Sequence, residues 1–440
     1  MATDDKNPKG GQGNPKGGQG LVTNRRRLLV GLGATGGLLA GGSALAAPEP
    51  SRPETLPEID TVRQAQPFYG FHQSGVTTPR PSFGMVASFD VLARDRDGLE
   101  RLFRTLTERI AFAMSGGSVP ELDPKLPPAD SGILGPVVMP NNLTMTVSVG
   151  ASLFDERFGL AAAKPKTLSR MSAFTNDALN AALCHGDICL QISSDGAETN
   201  MHALRDIIKT LPDLMLLRWQ QEGSVQAPFV RPGAPPESAR NLLGFRDGTA
   251  NPDSLDDTAM DRIVWVQPES GEPDWAVGGS YQAVRLIRNF VERWDRTPLR
   301  EQERIFGRHK ATGAPFTGKI ESDIPDYAND PKGEITPLDA HIRLANPRDH
   351  AARKHLMLRR PFNYSNGMAS NGQLDQGLLF ISYQQDLDRG FIAVQNQLNG
   401  EPLEEYIKPV GGGYFFVLPG IVDDADYLGR SLLAATGSAS

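Results

Sequence analysis

The chain has 440 residues, of which 39% are hydrophobic and 22% charged, a composition typical of a globular protein with one large or two ordinary domains. Its formal net charge is −7, and removing residues 1–46, which carry six basic and two acidic side chains (+4), leaves −7 − 4 = −11. An acidic chain argues against nucleic acid or an anionic membrane surface as the main partner, since both require clustered basic residues.

The N-terminal 46 residues have the features of an export signal. The first twenty residues contain a polar, glycine-rich tandem repeat, 7–13 and 14–20. They are followed by Arg25-Arg26-Arg27 and by a weakly hydrophobic run, 28–46, that contains six glycines and ends in Ala-Leu-Ala. This pattern predicts a twin-arginine signal peptide with a disordered start, cleaved after Ala46, and a protein exported in the folded state to the periplasm or the extracellular space. The alternative is a membrane anchor, because nineteen residues nearly span a bilayer.

Two sets of alternating elements follow a proline-rich arm at 47–81. Apolar spacing predicts the elements of the first set: strands at 83–92, 143–149, 187–192 and 214–219, and helices at 95–114 and 197–211. It predicts a looser second set after a proline-rich join near 221–240: strands at 281–287, 356–364, 378–383 and 413–418, and helices at 297–306 and 387–398. The repeated order predicts a duplicated α+β fold of two ferredoxin-like halves, 82–225 and 240–435.

Two irregular stretches, 116–142 and 311–339, are too long for plain connections and are expected to border a pocket. The only cysteines, Cys184 and Cys189, are five residues apart. In an extended stretch this offset places the thiols on opposite faces, which disfavours a disulfide between them. A structural metal site built on them and His185 would lack a second Cys/His pair.

Two segments carry the residues best suited to chemistry. In Gly244-Phe245-Arg246-Asp247-Gly248-Thr249-Ala250-Asn251-Pro252 the aspartate either belongs to an ordinary turn or is an acid/base in a pocket wall, since the glycines allow a second molecule to approach the backbone. The second segment is Ala340-His341-Ile342-Arg343-Leu344-Ala345-Asn346-Pro347-Arg348, followed by Leu356-Met357-Leu358-Arg359-Arg360. A lone histidine such as His341 is either structural or a metal ligand, and no His-Glu-x-x-His pair supports zinc hydrolase chemistry.

Over roughly residues 66–432 the chain resembles the dye-decolorizing peroxidases, and within that family the periplasmic iron-uptake branch. The resemblance rests on the two segments above, on Phe71-His72-Gln73-Ser74-Gly75-Val76 with Thr77-Thr78-Pro79, and on Gly411-Gly412-Gly413-Tyr414-Phe415-Phe416. It implies two ferredoxin-like halves forming an α+β barrel-like fold, with one haem b in the C-terminal half.

The resemblance also implies roles for individual residues. His341 would be the axial iron ligand, and Asp247 and Arg359, the latter eighteen residues after that histidine, would be the catalytic groups that activate hydrogen peroxide. The further haem contacts implied are Gly248, Thr249, Ala250, Asn346, Pro347 and Arg348, with Arg359 also close to the haem. For the partner of His341's second ring nitrogen we name Asp423 and Asp426 as candidates.

Three functions are compatible with these residues. The first is a haem peroxidase that reduces hydrogen peroxide and oxidises bulky small-molecule reductants such as dyes and phenols. The second is a deferrochelatase that takes iron out of haem and leaves the tetrapyrrole intact, and the third is a non-catalytic haem-binding or delivery protein. Further partners expected are the twin-arginine export machinery, an iron-uptake system and a second copy of the chain.

Overall fold

The computed structural model describes residues 61–226 and 237–436. The strands are β1 Phe83–Val91, β2 Gly117–Ser118, β3 Val137–Val138, β4 Thr144–Gly150, β5 Ile188–Ser194, β6 Met215–Ser224, β7 Ser280–Asn289, β8 Leu358–Arg359, β9 Phe362–Met368, β10 Leu374–Gln384 and β11 Ile407–Val417. The α-helices are α1 Arg96–Ser115, α2 Ala197–Thr210, α3 Asp257–Ile263, α4 Val291–Trp294, α5 Leu299–Phe306, α6 His341–Ala345, α7 Ala393–Gln397 and α8 Arg430–Ala434.

Nine strands form one antiparallel sheet in the order β7-β11-β4-β5-β1-β6-β9-β10-β8. The first half contributes β4-β5-β1-β6, which is the second, third, first and fourth of its four long strands. In the second half the strand order is β9-β10-β7-β11. These are again the second, third, first and fourth of the four long strands, so the two halves have the same order. This confirms the predicted α+β class with two ferredoxin-like halves.

The two halves are joined edge to edge, and the sheet closes on itself. Strand β11 pairs with β4 of the first half, while β6 meets β9 through the single pair Ser224 and Asn363. Because β10 also pairs with β7, the eight long strands form a closed, barrel-like ring with β8 as an added short strand. Closure leaves few free strand edges.

Helix α1 shows how the local sequence specifies an element. The Asp95 side chain accepts a hydrogen bond from the Gly98 amide (2.8 Å) and caps the helix, and Gly116, at φ 71°, ends it. Its buried face consists of Leu99, Leu102, Phe103, Leu106, Ile110, Ala113 and Met114. The spacing of three and four residues places these side chains on the sheet.

Five of the predicted elements differ in detail: β6 ends five residues after its predicted end, β10 begins four residues before its predicted start, and three others differ as follows. The strand expected at 356–364 is broken into β8 and β9 at Arg360-Pro361, because proline has no N–H to donate to a strand ladder. The helix expected at 387–398 begins with a π-helical turn, Asp388–Ile392, before α7. The last strand is longer than predicted, since β11 begins at Ile407 and continues through Gly411-Gly412-Gly413.

The described part of the N-terminal arm is anchored to the sheet. The Gln73 amide bonds to the backbone of Val147 and to the Leu418 carbonyl, and the Arg80 guanidinium donates to the Pro361 carbonyl. The export-signal prediction and residues 47–60 of the arm lie outside the described residues. Within those that are described, no helix is both long and apolar enough for a membrane span. Both cysteines are buried free thiols.

Candidate active site

A cavity in the C-terminal half collects most of the residues named from the sequence. It has a volume of about 260 Å³ and lies between the 241–250 segment, helix α6 and the region 391–407. Most of its wall is apolar, formed by Phe245, Ile287, Phe306, Ile342, Met357, Leu378, Phe380, Phe391, Val394, Leu398, Leu403 and Ile407. An apolar wall with a few convergent polar groups is typical of a cofactor pocket.

Asp247 is held at the cavity by a tight backbone turn. Its amide donates to the Ala239 carbonyl (2.9 Å), and the backbones of Arg240 and Arg246 form an isolated antiparallel β-bridge across the turn. Phe245 anchors the turn, because its buried ring stacks on Phe306 with ring centroids 4.0 Å apart. The position after Asp247 must be small, since a Cβ on Gly248 would lie 2.9 Å from the Ser238 hydroxyl oxygen.

Arg359 faces Asp247 from strand β8. Its Nη1 lies 3.5 Å from Asp247 Oδ1, and its Nη2 donates to the Thr249 carbonyl oxygen at 2.9 Å. The Asn251 side chain fixes the backbone of Arg359 by accepting from its amide (2.8 Å) and donating to its carbonyl (3.0 Å). The 247–251 turn and β8 therefore form one unit that carries a carboxylate and a guanidinium side by side.

His341 is the first residue of α6, and its second nitrogen has a carboxylate partner. Its Nδ1 lies 2.7 Å from Glu401 Oε2, and the Glu401 side chain is only 3% exposed. Burial alone would lower the pKa of His341, but the attraction and hydrogen bond of Glu401 outweigh it, so the pKa is raised. With Nδ1 engaged, Nε2 is the ring nitrogen left for a metal. The candidate partners Asp423 and Asp426 are wrong, because they follow β11 and the pairing carboxylate comes from the 401–405 turn.

The loop before α6 is fixed by one buried aspartate. Asp330 accepts hydrogen bonds from the amides of Glu334, Ile335 and Thr336, and Arg343 of α6 donates to its carboxylate (3.1 Å) and to its carbonyl (2.7 Å). The backbone donors, that of Thr336 foremost, lower the pKa of Asp330. The carboxylate thus ties the irregular stretch 311–339 to the helix that carries His341.

The residues present fit the haem that the resemblance implies. Besides His341 and the apolar walls, Arg308 and Arg348 line the cavity, and the Nε of each is buried without a hydrogen-bond partner among the described residues. Burial lowers the pKa of both guanidinium groups, so an anion at this end would be stabilising. Haem propionates are anions of the required kind.

The predicted site residues are found at or next to this cavity. Its lining includes Asp247, Thr249, Ala250, His341, Asn346, Arg348 and Arg359. Gly248 and Pro347 lie in the same two segments but are not part of the lining, and their haem contacts stay predictions. The residues that sequence reasoning missed are Glu401 and Arg308, which belong to segments without a recognisable motif.

Comparisons with known proteins agree with the geometry. Residues 73–224 match the family model described as "Dyp-type peroxidase, N-terminal", and residues 238–422 match "Dyp-type peroxidase, C-terminal". Proteins named deferrochelatase from Shigella flexneri and from Escherichia coli O157:H7 are each 56% identical over 413 residues, which is 93% of this chain and 97% of theirs.

Solved structures show the same relationship. A DyP-type peroxidase from Cellulomonas bogoriensis is 34% identical with a TM-score of 0.75, and the match covers 85% of this chain and 99% of that one. A DyP-type peroxidase from Streptomyces coelicolor is also 34% identical, with a TM-score of 0.76 over 86% of this chain and 100% of that one. Both halves, their order and their sequences therefore agree, and the chain belongs to the Dyp-type (dye-decolorizing) peroxidase family, whose members are haem enzymes.

Proposed function

We propose that this enzyme is a haem b peroxidase with one haem per chain, which reduces hydrogen peroxide and oxidises bulky organic donors such as dyes and phenols. The observation that carries the proposal is that one apolar cavity contains both His341, paired with Glu401, and the Asp247–Arg359 pair. When bound, haem supplies the iron and the redox chemistry of the reaction.

His341 and Glu401 would hold the haem and tune it. The imidazole Nε2 would bind the iron, while the Glu401 carboxylate accepts the hydrogen of Nδ1 and keeps the ring in one tautomer and orientation. A carboxylate partner makes the imidazole a stronger electron donor. Arg308 and Arg348 would bind the propionates through their guanidinium groups, whose Nε atoms are buried without a hydrogen-bond partner among the described residues.

Asp247 and Arg359 would act on peroxide. An Asp247 carboxylate oxygen would accept a proton from hydrogen peroxide and return it to the departing oxygen, which leaves as water. Arg359 would stabilise the negative charge that develops in between, and its hydrogen bond to the Thr249 carbonyl keeps the guanidinium beside the carboxylate.

Iron removal from haem is the second candidate function. It is favoured by the 56% identity to proteins named deferrochelatase. In that case the enzyme would serve an iron-uptake system. The non-catalytic alternative is disfavoured by the family and by the Asp247–Arg359 pair, which haem storage does not need.

Export through the twin-arginine pathway is part of the proposal. Arg25-Arg26-Arg27, the glycine-rich apolar run and Ala44-Leu45-Ala46 support it, and a periplasmic or extracellular location would follow. A homodimer is also proposed.

One experiment separates the activities. Purified protein would be mixed with hydrogen peroxide and a phenolic donor, and separately with excess haem and no peroxide. A peroxidase oxidises the donor and changes its haem absorbance with peroxide, whereas iron removal yields metal-free protoporphyrin, detected by its fluorescence. Absence of both signals in haem-loaded protein would contradict the proposal.

A further inference from the structure

The irregular stretch 311–339 reaches the active-site cavity and is tightly packed there. Gly313 of this stretch lines the cavity. It has φ 75°, and a Cβ there would lie 2.7 Å from Arg246 Cγ and 3.3 Å from Glu321 Cγ. Arg308 donates from Nη1 to the carbonyl oxygens of Gly313 (2.7 Å) and Glu321 (2.9 Å). The backbone of this stretch is therefore fixed beside the cavity at Gly313 and at Glu321.

The Glu321 carboxylate binds the segment that carries the proposed catalytic aspartate. Its Oε1 accepts hydrogen bonds from the hydroxyl groups of Thr249 (2.6 Å) and Ser238, and its Oε2 accepts one from the Ser238 amide (3.2 Å). Oε2 also lies 3.9 Å from Nε of Arg246, whose side chain is 8% exposed. The Glu321 side chain itself is 17% exposed. Three hydrogen bonds from two residues fix the position of this carboxylate.

Thr249 connects this carboxylate to Arg359. Its hydroxyl donates to Glu321 Oε1, while its backbone carbonyl accepts a hydrogen bond from Arg359 Nη2 (2.9 Å). Asp247 lies two residues earlier in the same turn, and its Oδ1 is 3.5 Å from Arg359 Nη1. A displacement of Thr249 would therefore move the guanidinium relative to the carboxylate. A misplacement of about 1 Å can slow a reaction about 10²-fold, so the hydrogen bond that holds Thr249 matters to the rate.

We propose that Glu321 is a positioning residue for the Asp247–Arg359 pair and acts through its hydrogen bond with Thr249. The inference rests on the proposed function, because it gives Glu321 a role in the reaction with peroxide. Glu321 is not part of the cavity lining in the described part of the chain, so its effect reaches the site through Thr249. Its backbone carbonyl, which binds Arg308, is kept in every side-chain variant, and haem binding should therefore be retained.

The test compares two substitutions of Glu321 in the haem-loaded protein. Glu321→Ala removes every acceptor for the Thr249 hydroxyl, whereas Glu321→Gln keeps one oxygen at the same reach. Glu334→Ala is the matched control, because it removes an exposed glutamate of the same stretch. We expect the stopped-flow rate of reaction with hydrogen peroxide to fall about tenfold or more in Glu321→Ala and less than about threefold in Glu321→Gln. Haem content should equal that of wild type in all three variants.

A second measurement does not depend on turnover. Fluoride is an anion that binds ferric haem, and the Arg359 guanidinium would stabilise it by a charge-assisted hydrogen bond. The Kd of fluoride, measured from the haem absorption, therefore reports where this guanidinium lies. We expect this Kd to rise about threefold to tenfold in Glu321→Ala and to stay at the wild-type value in Glu334→Ala.

A double-mutant cycle with Thr249→Val tests whether the effect passes through Thr249. This substitution removes the hydroxyl with little change of shape, so adding Glu321→Ala to it should slow the reaction little further. Additive losses would overturn the proposal. A wild-type rate and fluoride Kd in Glu321→Ala, or an equal slowing in Glu321→Gln and Glu321→Ala, would overturn it as well.

A shorter carboxylate covers the case in which Glu321→Ala is poorly folded by its melting temperature. Glu321→Asp keeps the negative charge near Arg246 but is one methylene shorter, which weakens its contact with Thr249. We expect the same direction of change in rate and in fluoride Kd, and wild-type values in this variant would overturn the proposal. Failure of wild-type protein to react with peroxide would refute the proposed function, while the fluoride Kd would still test the position of Arg359.

Discussion

The hydrogen bond from His341 to Glu401 is the residue contact that most affects the proposed iron ligand. Glu401→Gln keeps the shape but removes the negative charge, so the imidazole becomes a weaker electron donor. We expect haem to be retained, the reduction potential to rise, and the reaction with peroxide to slow about 10- to 100-fold. Glu405→Gln is the matched control, because that side chain is exposed and its ion-pair partner among the described residues is Arg293 at the surface. Unchanged potential and rate in Glu401→Gln would show that the carboxylate has only a structural role.

Removing the proposed ligand gives a second prediction. His341→Ala should fold but contain little or no haem, since the only protein bond to iron proposed here is lost. Haem content per chain, measured from the absorption spectrum after extraction, checks this result. The control is His309→Ala, an exposed histidine that contacts Glu303. A His-ligated haem spectrum in His341→Ala protein would mean that another histidine is the ligand.

For single residues, the spacing of motifs is what predicts the candidate site. Asp247, His341 and Arg359 were named because each lies in a segment with a recognisable pattern, and the structure brings all three to one cavity. Glu401 was missed because it lies 60 residues from His341 in a turn with no distinctive sequence. A contact between such distant segments depends on how the chain folds and leaves no local signal.

At the scale of elements, the Asn251 side chain connects the 247–251 turn to strand β8. Its side-chain amide accepts a hydrogen bond from the Arg359 amide and donates one to the Arg359 carbonyl, as the backbone of a neighbouring strand would do. Asn251→Ala removes these two hydrogen bonds, so we expect a loss of about 1–3 kcal/mol in the free energy of unfolding. The reaction with peroxide should also slow while haem content is kept, because Arg359 is then less well positioned.

Urea unfolding and stopped-flow absorbance would measure the two effects of Asn251→Ala. Asn329→Ala is a suitable control, since in the described part of the chain that exposed side chain donates one hydrogen bond, to the Asp326 carboxylate. If both variants behave alike, the turn is held by other contacts and Asn251 is dispensable.

Elements with regular apolar spacing were predicted well, and interrupted ones were not. Helix α1 and strands β1, β4 and β5 lie within one or two residues of their predicted bounds. Helix α6 has only five residues, all of them partly buried, so no periodic apolar face marks it in the sequence. The π turn at Asp388–Ile392 likewise cannot be told from an ordinary helix by apolar spacing alone.

For the whole molecule, the way in which the halves join could not be predicted. Each half has its own alternating pattern, which was sufficient to predict two ferredoxin-like units. The pairings of β11 with β4 and of β6 with β9 connect strands from opposite halves. Edge pairing is made by backbone groups, which are the same for every residue except proline, so the sequence contains little information about it.

Export of the whole chain gives a further prediction. Replacing Arg25, Arg26 and Arg27 by Lys should leave the precursor in the cytoplasm, because the twin-arginine signal requires its arginine pair. The mature wild-type protein should begin at or near Ala47 by N-terminal sequencing. An intact N-terminus on membrane-embedded protein would instead support the anchor interpretation.

Asp247 and Arg359 are proposed to activate peroxide as a pair. The most direct test is the stopped-flow rate of reaction with hydrogen peroxide in haem-loaded wild type, Asp247→Asn and Arg359→Leu, across the acidic to neutral pH range. We predict a slowing of about 10²- to 10⁴-fold for Asp247→Asn, with loss of the pH dependence that a carboxylate base imposes. For Arg359→Leu the expected slowing is about 10²-fold or more. An unchanged rate in Asp247→Asn, with Arg359→Leu inactive, would contradict the acid/base role of Asp247.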